Sequence, residues 1–223
     1  MPDFGAVLLS LQLALVTTLV LLALGIPLAW WLSSTRSKAK PIIEAVTALP
    51  LVLPPTVIGF YLLVLFNPEA PIGGLWVSLT GGTLSFSFAG LVIASVVYSL
   101  PFMVQPLQTA FESVGRDQRE AAAILRASPF DTFRSVVLPQ SRRGLLTACI
   151  LTFAHTIGEF GVVLMVGGNI PERTRVISIA VYEHVENIEY AEAHILSIGL
   201  LVFSFVTLLG VYALNGRYRL RVS

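Results

Sequence analysis

The chain has 223 residues, of which 55% are hydrophobic and 12% are charged, and its mean hydropathy is +0.82. Because soluble domains have roughly 25% charged residues, this composition excludes an ordinary soluble protein and indicates an integral membrane protein. The formal net charge of +1 gives no overall field that would attract nucleic acid, so we predict no nucleic-acid partner. The single cysteine, Cys149, cannot form a disulfide within the chain.

Five apolar stretches are long enough to cross a bilayer as helices, since a hydrocarbon core of about 30 Å needs about 20 residues. They lie at about 7–32, 43–66, 86–108, 144–167 and 193–214. The first is too long for the core of a signal peptide, so we expect it to be retained. No internal repeat or linker divides the pattern. We therefore predict an all-α fold, a polytopic membrane helical bundle with a five-span core that forms one transmembrane domain over residues 1–223.

Basic residues concentrate in alternate loops of this bundle. The first loop has three, the third loop (about 109–143) has six arginines and the C-terminal tail has three, whereas only Arg173 and Arg175 fall elsewhere. Since cytoplasmic loops contain the excess of Lys and Arg, we expect the N-terminus outside and the C-terminus in the cytoplasm. The fourth loop is rich in Glu, and we expect an external segment there with one amphipathic helix or a re-entrant turn.

The second stretch contains the sequence LPLVLPPTVIGF, with prolines at positions 50, 54 and 55. Each proline removes a backbone donor and clashes with the preceding helical turn, and broken helices in a bilayer occur where they pack on protein or line a cavity. Two interpretations remain open: the kinks only shape helix packing, or the span curves around a substrate pathway. On the second interpretation, Pro54, Pro55 and Thr56 are candidate pathway or gate residues.

The fourth stretch contains His155 and Glu159, which are one helical turn apart. Ionisable groups within a membrane are functional candidates by default, so Glu159 joins the pathway or gate candidates. A role in helix packing or in an interfacial salt bridge is the alternative. Two ligands are too few for a closed zinc site, and we predict no metal.

The cytoplasmic loop, about 111–143, includes the sequence EAAAILRASPFDTFRSVVLP at 120–139. Phe111, Val114 and Leu125 belong to an apolar stripe with helical spacing, which predicts a short amphipathic helix. The loop is either a solvated or interfacial connector or a docking element for a cytosolic partner.

A second helix is predicted directly after a break in this loop. Ser128 suits an N-cap, Pro129 suits the first helical position, and Asp131 follows in the first turn. Phe130 and Phe133 would then fall on one face of the second helix, which favours the docking interpretation.

This stretch resembles the EAA loop of ABC-importer permeases, whose pattern is EAA, three residues, Gly, nine residues, an aliphatic residue, any residue, and Leu-Pro. The residues that match are Glu120, Ala121, Ala122, Val136, Leu138 and Pro139. Arg126 stands where the pattern has Gly. Either the loop bends at Ser128–Pro129 instead, or Arg126 adopts the left-handed conformation that is far easier for Gly.

The resemblance implies that this loop binds a separate ATP-hydrolysing subunit. The expected coupling residues are Glu120, Ala121, Ala122, Arg126, Phe130, Phe133, Leu138 and Pro139. The sequence has no G-x-x-x-x-G-K-[ST] phosphate loop, so we expect ATP and magnesium on the ATPase, no cofactor in this chain and no catalysis by it alone. One such loop and five spans amount to half a pathway, which favours a homodimer with two ATPase subunits.

Two further segments, LPLVLPPTVIGFYLLVLF and FAHTIGEFGVVLMVGGNIPERTRVISIAVYEHVE, resemble the molybdate-type permeases of this family. The resemblance implies uptake of molybdate by alternating access, with an external molybdate-binding protein, across the inner or plasma membrane of a bacterium or archaeon. Asn169, Arg173 and Arg175 in the external segment are the expected contacts with that protein. Tungstate and sulfate remain alternative substrates.

Two other classes of protein also remain as alternatives. An ATP-independent secondary transporter would need inverted repeats and carboxylates near the membrane midplane, for which Glu159 alone is thin support. A membrane-embedded enzyme would need further convergent acid, base or nucleophilic groups around His155 and Glu159.

Overall fold

The computed structural model describes residues 3–216, apart from a few side chains within 116–123 and 214–216. The α-helices are α1 (Phe4–Ser34), α2 (Lys40–Ala48), α3 (Pro55–Leu65), α4 (Pro71–Thr80), α5 (Phe88–Glu112), α6 (Arg116–Ile124), α7 (Pro129–Thr132), α8 (Leu138–Gln140), α9 (Arg142–Gly158), α10 (Gly161–Gly167), α11 (Ile177–Glu186) and α12 (Tyr190–Gly216). A 3-10 turn at Leu49–Leu51 follows α2, and a π turn at Phe133–Val137 joins α7 to α8. The described residues include no β-strand, which confirms the all-α prediction. The tail arginines, which support the predicted cytoplasmic C-terminus, lie outside the described residues.

Three helices are individually long and apolar enough to cross a membrane: α1, α5 and Tyr190–Ala213 of α12. Two further stretches meet the same criteria only as bent pairs. Lys40–Leu51 and Pro55–Leu65 meet at 106°, and Arg142–Gly158 and Gly161–Gly167 meet at 60°. The described residues therefore provide three unbroken candidate spans, or up to five if each bent pair is one span.

Both bends lie where the backbone leaves the helical conformation. Prolines cause the first, as predicted, since Pro54 is extended (φ −55°, ψ 135°) between the 3-10 turn and α3. The second bend falls inside the predicted span 144–167, at Glu159 (ψ 133°) and Phe160 (φ −127°). No proline lies there, and the sequence pattern gives no warning of it beyond the glycines on either side.

Helices α1, α5 and α9 form the packed centre of the fold. Leu13 of α1 packs near Leu91 of α5, and Leu21 packs near Met103, so these two helices run in the same direction. Helix α9 runs the opposite way, because its residue Ile157 belongs to the cluster at the start of α1. The three helices thereby form a frame, and the half-helices α3 and α10 pack against its helix α5.

Charged residues mark two opposite ends of this frame. At the basic end, defined as residues 35–40 and 113–141, Lys40 Nζ lies 3.3 Å from Glu112 Oε1, so the first and third loops adjoin. At the acidic end, defined as Asp3 and residues 168–189, Arg175 pairs with Asp3 at 3.5 Å and with Glu183 at 3.1 Å. The N-terminus of α1 and the predicted external segment therefore lie together, away from the basic loops.

Replacing Gly144 with Ala is expected to lower the midpoint of thermal unfolding in detergent, because the added Cβ would overlap the Cβ of Ala110 and push α9 from α5. Overpacking of this kind costs about 1–3 kcal/mol. The matched control is Gly210→Ala on α12, where an added Cβ would meet nothing within 4 Å. Equal midpoints for the two variants would contradict the close contact between α5 and α9.

Candidate functional site

A helix, a break and a second helix form the loop at the basic end, as predicted. Helix α6 ends at Ile124, and Arg126 adopts the left-handed conformation, with φ 58°. The N–H of Ala127 donates to the carbonyl of Ala122 at 3.0 Å, which is the closing bond of a Schellman motif. Arg126 therefore occupies the position that favours Gly, at a cost of roughly 1–2 kcal/mol for a residue with a Cβ.

The second helix of this loop begins with the predicted cap. The N–H of Asp131 donates to Ser128 Oγ at 3.1 Å, and the N–H of Ser128 donates to Asp131 Oδ2 at 3.3 Å. Pro129 occupies the first helical position. These reciprocal bonds form a capping box. The left-handed Arg126 and the cap at Ser128 are consecutive parts of one break, so both of the predicted ways of turning the chain occur.

Pro139 lies in α8, the three-residue helix that follows the π turn and ends at Gln140. The N–H of Leu138 donates to the carbonyl of Phe133, five residues earlier, and the N–H of Ser141 donates to Val137 at 2.9 Å. Pro139 has no N–H, and its ring would clash with the carbonyl four residues earlier in an α-helix. The wider π turn relieves that clash, and π turns are frequent at functional sites.

The two phenylalanines of this loop have different environments. The ring of Phe133 lies 5.0 Å from the ring of Trp30 and 5.6 Å from that of Phe111. Phe133 therefore attaches the loop to α1 and α5. Phe130 is 68% exposed, so its ring is available to a partner.

Two exposed apolar residues precede the break in the loop. Ile124 and Leu125 are each 82% exposed, although the helical spacing assigns Leu125 to the apolar stripe of α6. Of the predicted coupling residues, Glu120, Ala121 and Arg126 are exposed, Ala122 is buried, and Leu138 and Pro139 are half-buried. The sequence pattern misses Ile124 and Leu125 as surface residues because it assumes that apolar side chains face the protein.

A cavity of about 570 Å³ lies at the two helix breaks. Its lining includes Pro55 and Thr56 at the start of α3, Tyr98 on α5, and His155, Glu159 and Gly161 at the break between α9 and α10. Pro55, Thr56 and Glu159 were named from separate segments of the sequence, and the structure brings them together here. Pro54 immediately precedes α3 as its N-cap.

The half-helices α3 and α10 pack closely through glycines. A Cβ at Gly59 would lie 2.6 Å from Met165 Cβ, and a Cβ at Gly161 would lie 2.7 Å from Pro55 Cβ. Contacts this short do not occur between real Cβ atoms, so only glycine fits without displacement. The two breaks are therefore held side by side at the cavity.

Glu159 is 4% exposed, and neither of its carboxylate oxygens has a hydrogen-bond partner among the described residues. Ser95 of α5 lies next to this carboxyl group, and its hydroxyl is also without a partner in the described part of the chain. The main-chain carbonyl of Glu159 accepts a hydrogen bond from Ser178 Oγ. Buried polar groups without partners are costly and often mark functional positions.

His155 is held by neighbours other than Glu159. Its Nδ1 lies 3.0 Å from Ser99 Oγ, and its ring stacks on Phe102 with centroids 3.8 Å apart. These contacts support a packing and positioning role for His155, and they leave Glu159 to interact elsewhere.

Asn169, Arg173 and Arg175, the predicted contacts with a binding protein, differ in their environments. Arg175 Nε donates to Asn169 Oδ1 at 2.8 Å, in addition to its pairs with Asp3 and Glu183. Arg173 is exposed. In the following helix, the Tyr182 hydroxyl donates to Glu186 at 2.6 Å, and this bond raises the pKa of Tyr182. Arg175 and Asn169 thus brace the segment, whereas Arg173 presents a charge at its surface.

Residues 13–220 match the family described as the inner membrane component of binding-protein-dependent transport systems, and the chain belongs to this family. The molybdenum transport system permease protein ModB of Azotobacter vinelandii is 59% identical over 211 residues, which cover 95% of this chain and 93% of that protein. A probable sulfate transport system permease protein cysT of Chlorella vulgaris is 31% identical over 209 residues, covering 94% and 78%.

The fold is also that of known transporter structures. A bacterial alginate ABC transporter, solved with an alginate-bound periplasmic protein, contains a chain that superposes with a TM-score of 0.75. The match covers 96% of this chain and 78% of the other chain at 17% sequence identity, so it shows the shared fold alone.

Replacing Arg126 with Gly is expected to stabilise the loop by about 1 kcal/mol, because Gly adopts the left-handed conformation without a Cβ clash. The measurement is hydrogen exchange at the amide of Ala127, which closes the motif and should exchange several-fold more slowly. The matched control is Arg134→Gly, at an exposed helical position of the same loop. Faster exchange in both variants would contradict the strain at Arg126.

Proposed function

We propose that this chain is the membrane-spanning subunit of an ATP-driven importer that takes up molybdate by alternating access. The 59% identity to a molybdenum permease over almost the whole chain is the observation on which this proposal rests. Membership of the transport family and the helix-break-helix loop at the basic end support it.

The proposed topology has five spans, with the N-terminus outside and the C-terminus in the cytoplasm. Three unbroken helices and two bent pairs, each counted as one span, would make up the five spans. The basic end would then face the cytoplasm, in agreement with the excess of Lys and Arg in cytoplasmic loops. The acidic end would face outward, in the inner membrane of a bacterium or archaeon.

The basic-end loop would bind the cytosolic ATPase. Ile124, Leu125 and Phe130 expose large apolar surfaces there, which are costly in water and favour burial against a partner. Phe133 would transmit force from the loop to the spans, because its ring packs between α1 and α5. ATP and magnesium would bind to that partner.

The cavity at the two breaks would belong to the oxyanion pathway. Among the described residues that line this cavity, none is Lys or Arg, so a dianion would meet the hydroxyl of Thr56, the side chains of His155 and Glu159, and the positive N-terminal end of α3. Weak sites of this kind allow passage without trapping the ion. A homodimer would join two such half-pathways and present two loops to two ATPase subunits.

The external binding protein would dock at the acidic end. Asn169, Arg173 and Arg175 remain the proposed contacts; Asn169 and Arg173 are exposed, whereas Arg175 is half-buried. Tungstate, a tetrahedral dianion like molybdate, is an alternative substrate. Sulfate is a second alternative, supported by the 31% identity to a probable sulfate permease.

Molybdate uptake is expected only when ATP is supplied to the ATPase side of liposomes that contain the chain, its ATPase and its binding protein. Radiolabelled or mass-detected uptake should be compared for molybdate, tungstate and sulfate. Uptake that proceeds equally well without ATP would favour a secondary transporter and refute the proposal.

Changing both Ile124 and Leu125 to Ser is expected to weaken ATPase binding about tenfold or more, because two apolar side chains lose their buried contact. The measurement is the dissociation constant between the purified membrane chain and the ATPase. The matched control is Ile188→Ser, an apolar residue at the acidic end that is 72% exposed and should leave binding unchanged.

Two further variants test the coupling loop. Glu120→Lys should weaken ATPase binding at the exposed start of the motif, and Phe133→Ala should weaken it by loosening the loop from Trp30 and Phe111. Normal ATPase binding and normal molybdate uptake in these two variants, and in the variant with both Ile124 and Leu125 changed to Ser, would contradict a role for this loop in the interface with the ATPase.

A further inference from the structure

We propose that Ser178 is a positioning residue, which links the acidic end to the break between α9 and α10 and makes the cavity respond to the external binding protein. This inference rests on the proposed function, since it needs a binding protein at that end. It adds a specific hydrogen bond through which docking would reach the pathway.

The first step concerns the carbonyl of Glu159. The extended backbone at this residue (ψ 133°) interrupts the helix, so its carbonyl turns away from the next helical turn. A polar backbone group within an apolar medium needs a partner, because leaving it unsatisfied costs several kcal/mol. Ser178 Oγ donates the hydrogen bond that this carbonyl accepts. The break is thus stabilised by a side chain from a different element.

The second step concerns the position of Ser178 in the chain. It is the second residue of α11, which follows directly on the loop of the acidic end. Its neighbour Ile177 donates its N–H to Ser10 Oγ at 2.8 Å, which fixes the start of α11 against α1. Ser178 therefore lies between an anchored backbone and the broken helix.

The third step concerns the loop itself, residues 168–175. Thr174 is fully buried, its hydroxyl donates to the carbonyl of Gly167 at 2.7 Å, and it accepts from the N–H of Ile170 at 3.2 Å. Arg175 adds its bonds to Asn169, Asp3 and Glu183. The bond to Glu183 connects the loop directly to α11, so a partner that binds the exposed tip would act on α11 through it.

The proposed connection through Ser178 runs from the exposed tip of the loop 168–175 to the cavity. Pro171, Glu172 and Arg173 are exposed and would contact the binding protein. At the other end, Gly161 packs on Pro55 with no space for a Cβ, so a shift of the break would move the start of α3. Ser178 is the described side chain that joins the two through a hydrogen bond to the break.

The test uses the complete complex in lipid nanodiscs, with the ATPase, the external binding protein and molybdate. The quantity measured is the ratio of ATP hydrolysis with loaded binding protein to hydrolysis without it. Ser178→Ala is expected to lower this ratio by about fivefold, the change in an equilibrium that one net hydrogen bond gives. Ser178→Thr keeps a hydroxyl and should restore most of the ratio.

Ser10→Ala is the matched control, because it removes the other hydroxyl that holds the start of α11. It should lower the thermal midpoint without lowering the ratio. An unchanged ratio in Ser178→Ala overturns the inference, and so does a joint loss of stability and ratio in both Ala variants, which would assign Ser178 to folding alone. A wild-type complex that does not respond to loaded binding protein refutes the proposed function instead, before any variant is compared.

Discussion

A backbone carbonyl or N–H without a partner is costly in an apolar medium, and this constraint decides where the chain can leave the helical conformation. At the first break, Pro54 and Pro55 have no backbone N–H, so neither residue leaves an unpaired donor where the helix is interrupted. At the second break no proline is present, and the Ser178 hydroxyl satisfies the carbonyl of Glu159. The cavity lies where these two breaks meet, so its position depends on how the backbone polar groups are satisfied at each break.

Close contact between small residues then determines the shape of the cavity. Gly59 and Gly161 allow α3 and α10 to approach without a Cβ between them, and buried residues such as Ile58 and Val162 pack the two half-helices into one cluster. A separate cluster, which includes Leu21 and Met103, holds α1 against α5. The half-helices therefore pack as one cluster, which also includes Ala94 of the frame helix α5.

The parts of this structure that depend on local chemistry were predictable from the sequence. The length of the apolar runs predicted the candidate spans, and the prolines predicted the first break. Ser128 and Asp131 predicted the cap of the second helix in the basic loop. The break at Glu159 was not predictable, because the hydroxyl that stabilises it is distant in sequence and no periodicity reports it. The inward packing of Phe133 and the exposure of Leu125 were missed for the same reason, since helical spacing does not reveal which face meets a neighbour.

Helix α1 contacts both the basic end and the acidic end, and it therefore fixes the distance between them. Near its C-terminus Trp30 packs on Phe133 of the basic loop, and near its N-terminus Ser10 accepts from Ile177 at the start of α11. Its 31 residues correspond to a rod of about 46 Å. Neither bent pair is a continuous rod, so neither can fix this separation. Changes at the breaks would then alter the cavity, whereas the separation of the basic and acidic ends along α1 would stay the same.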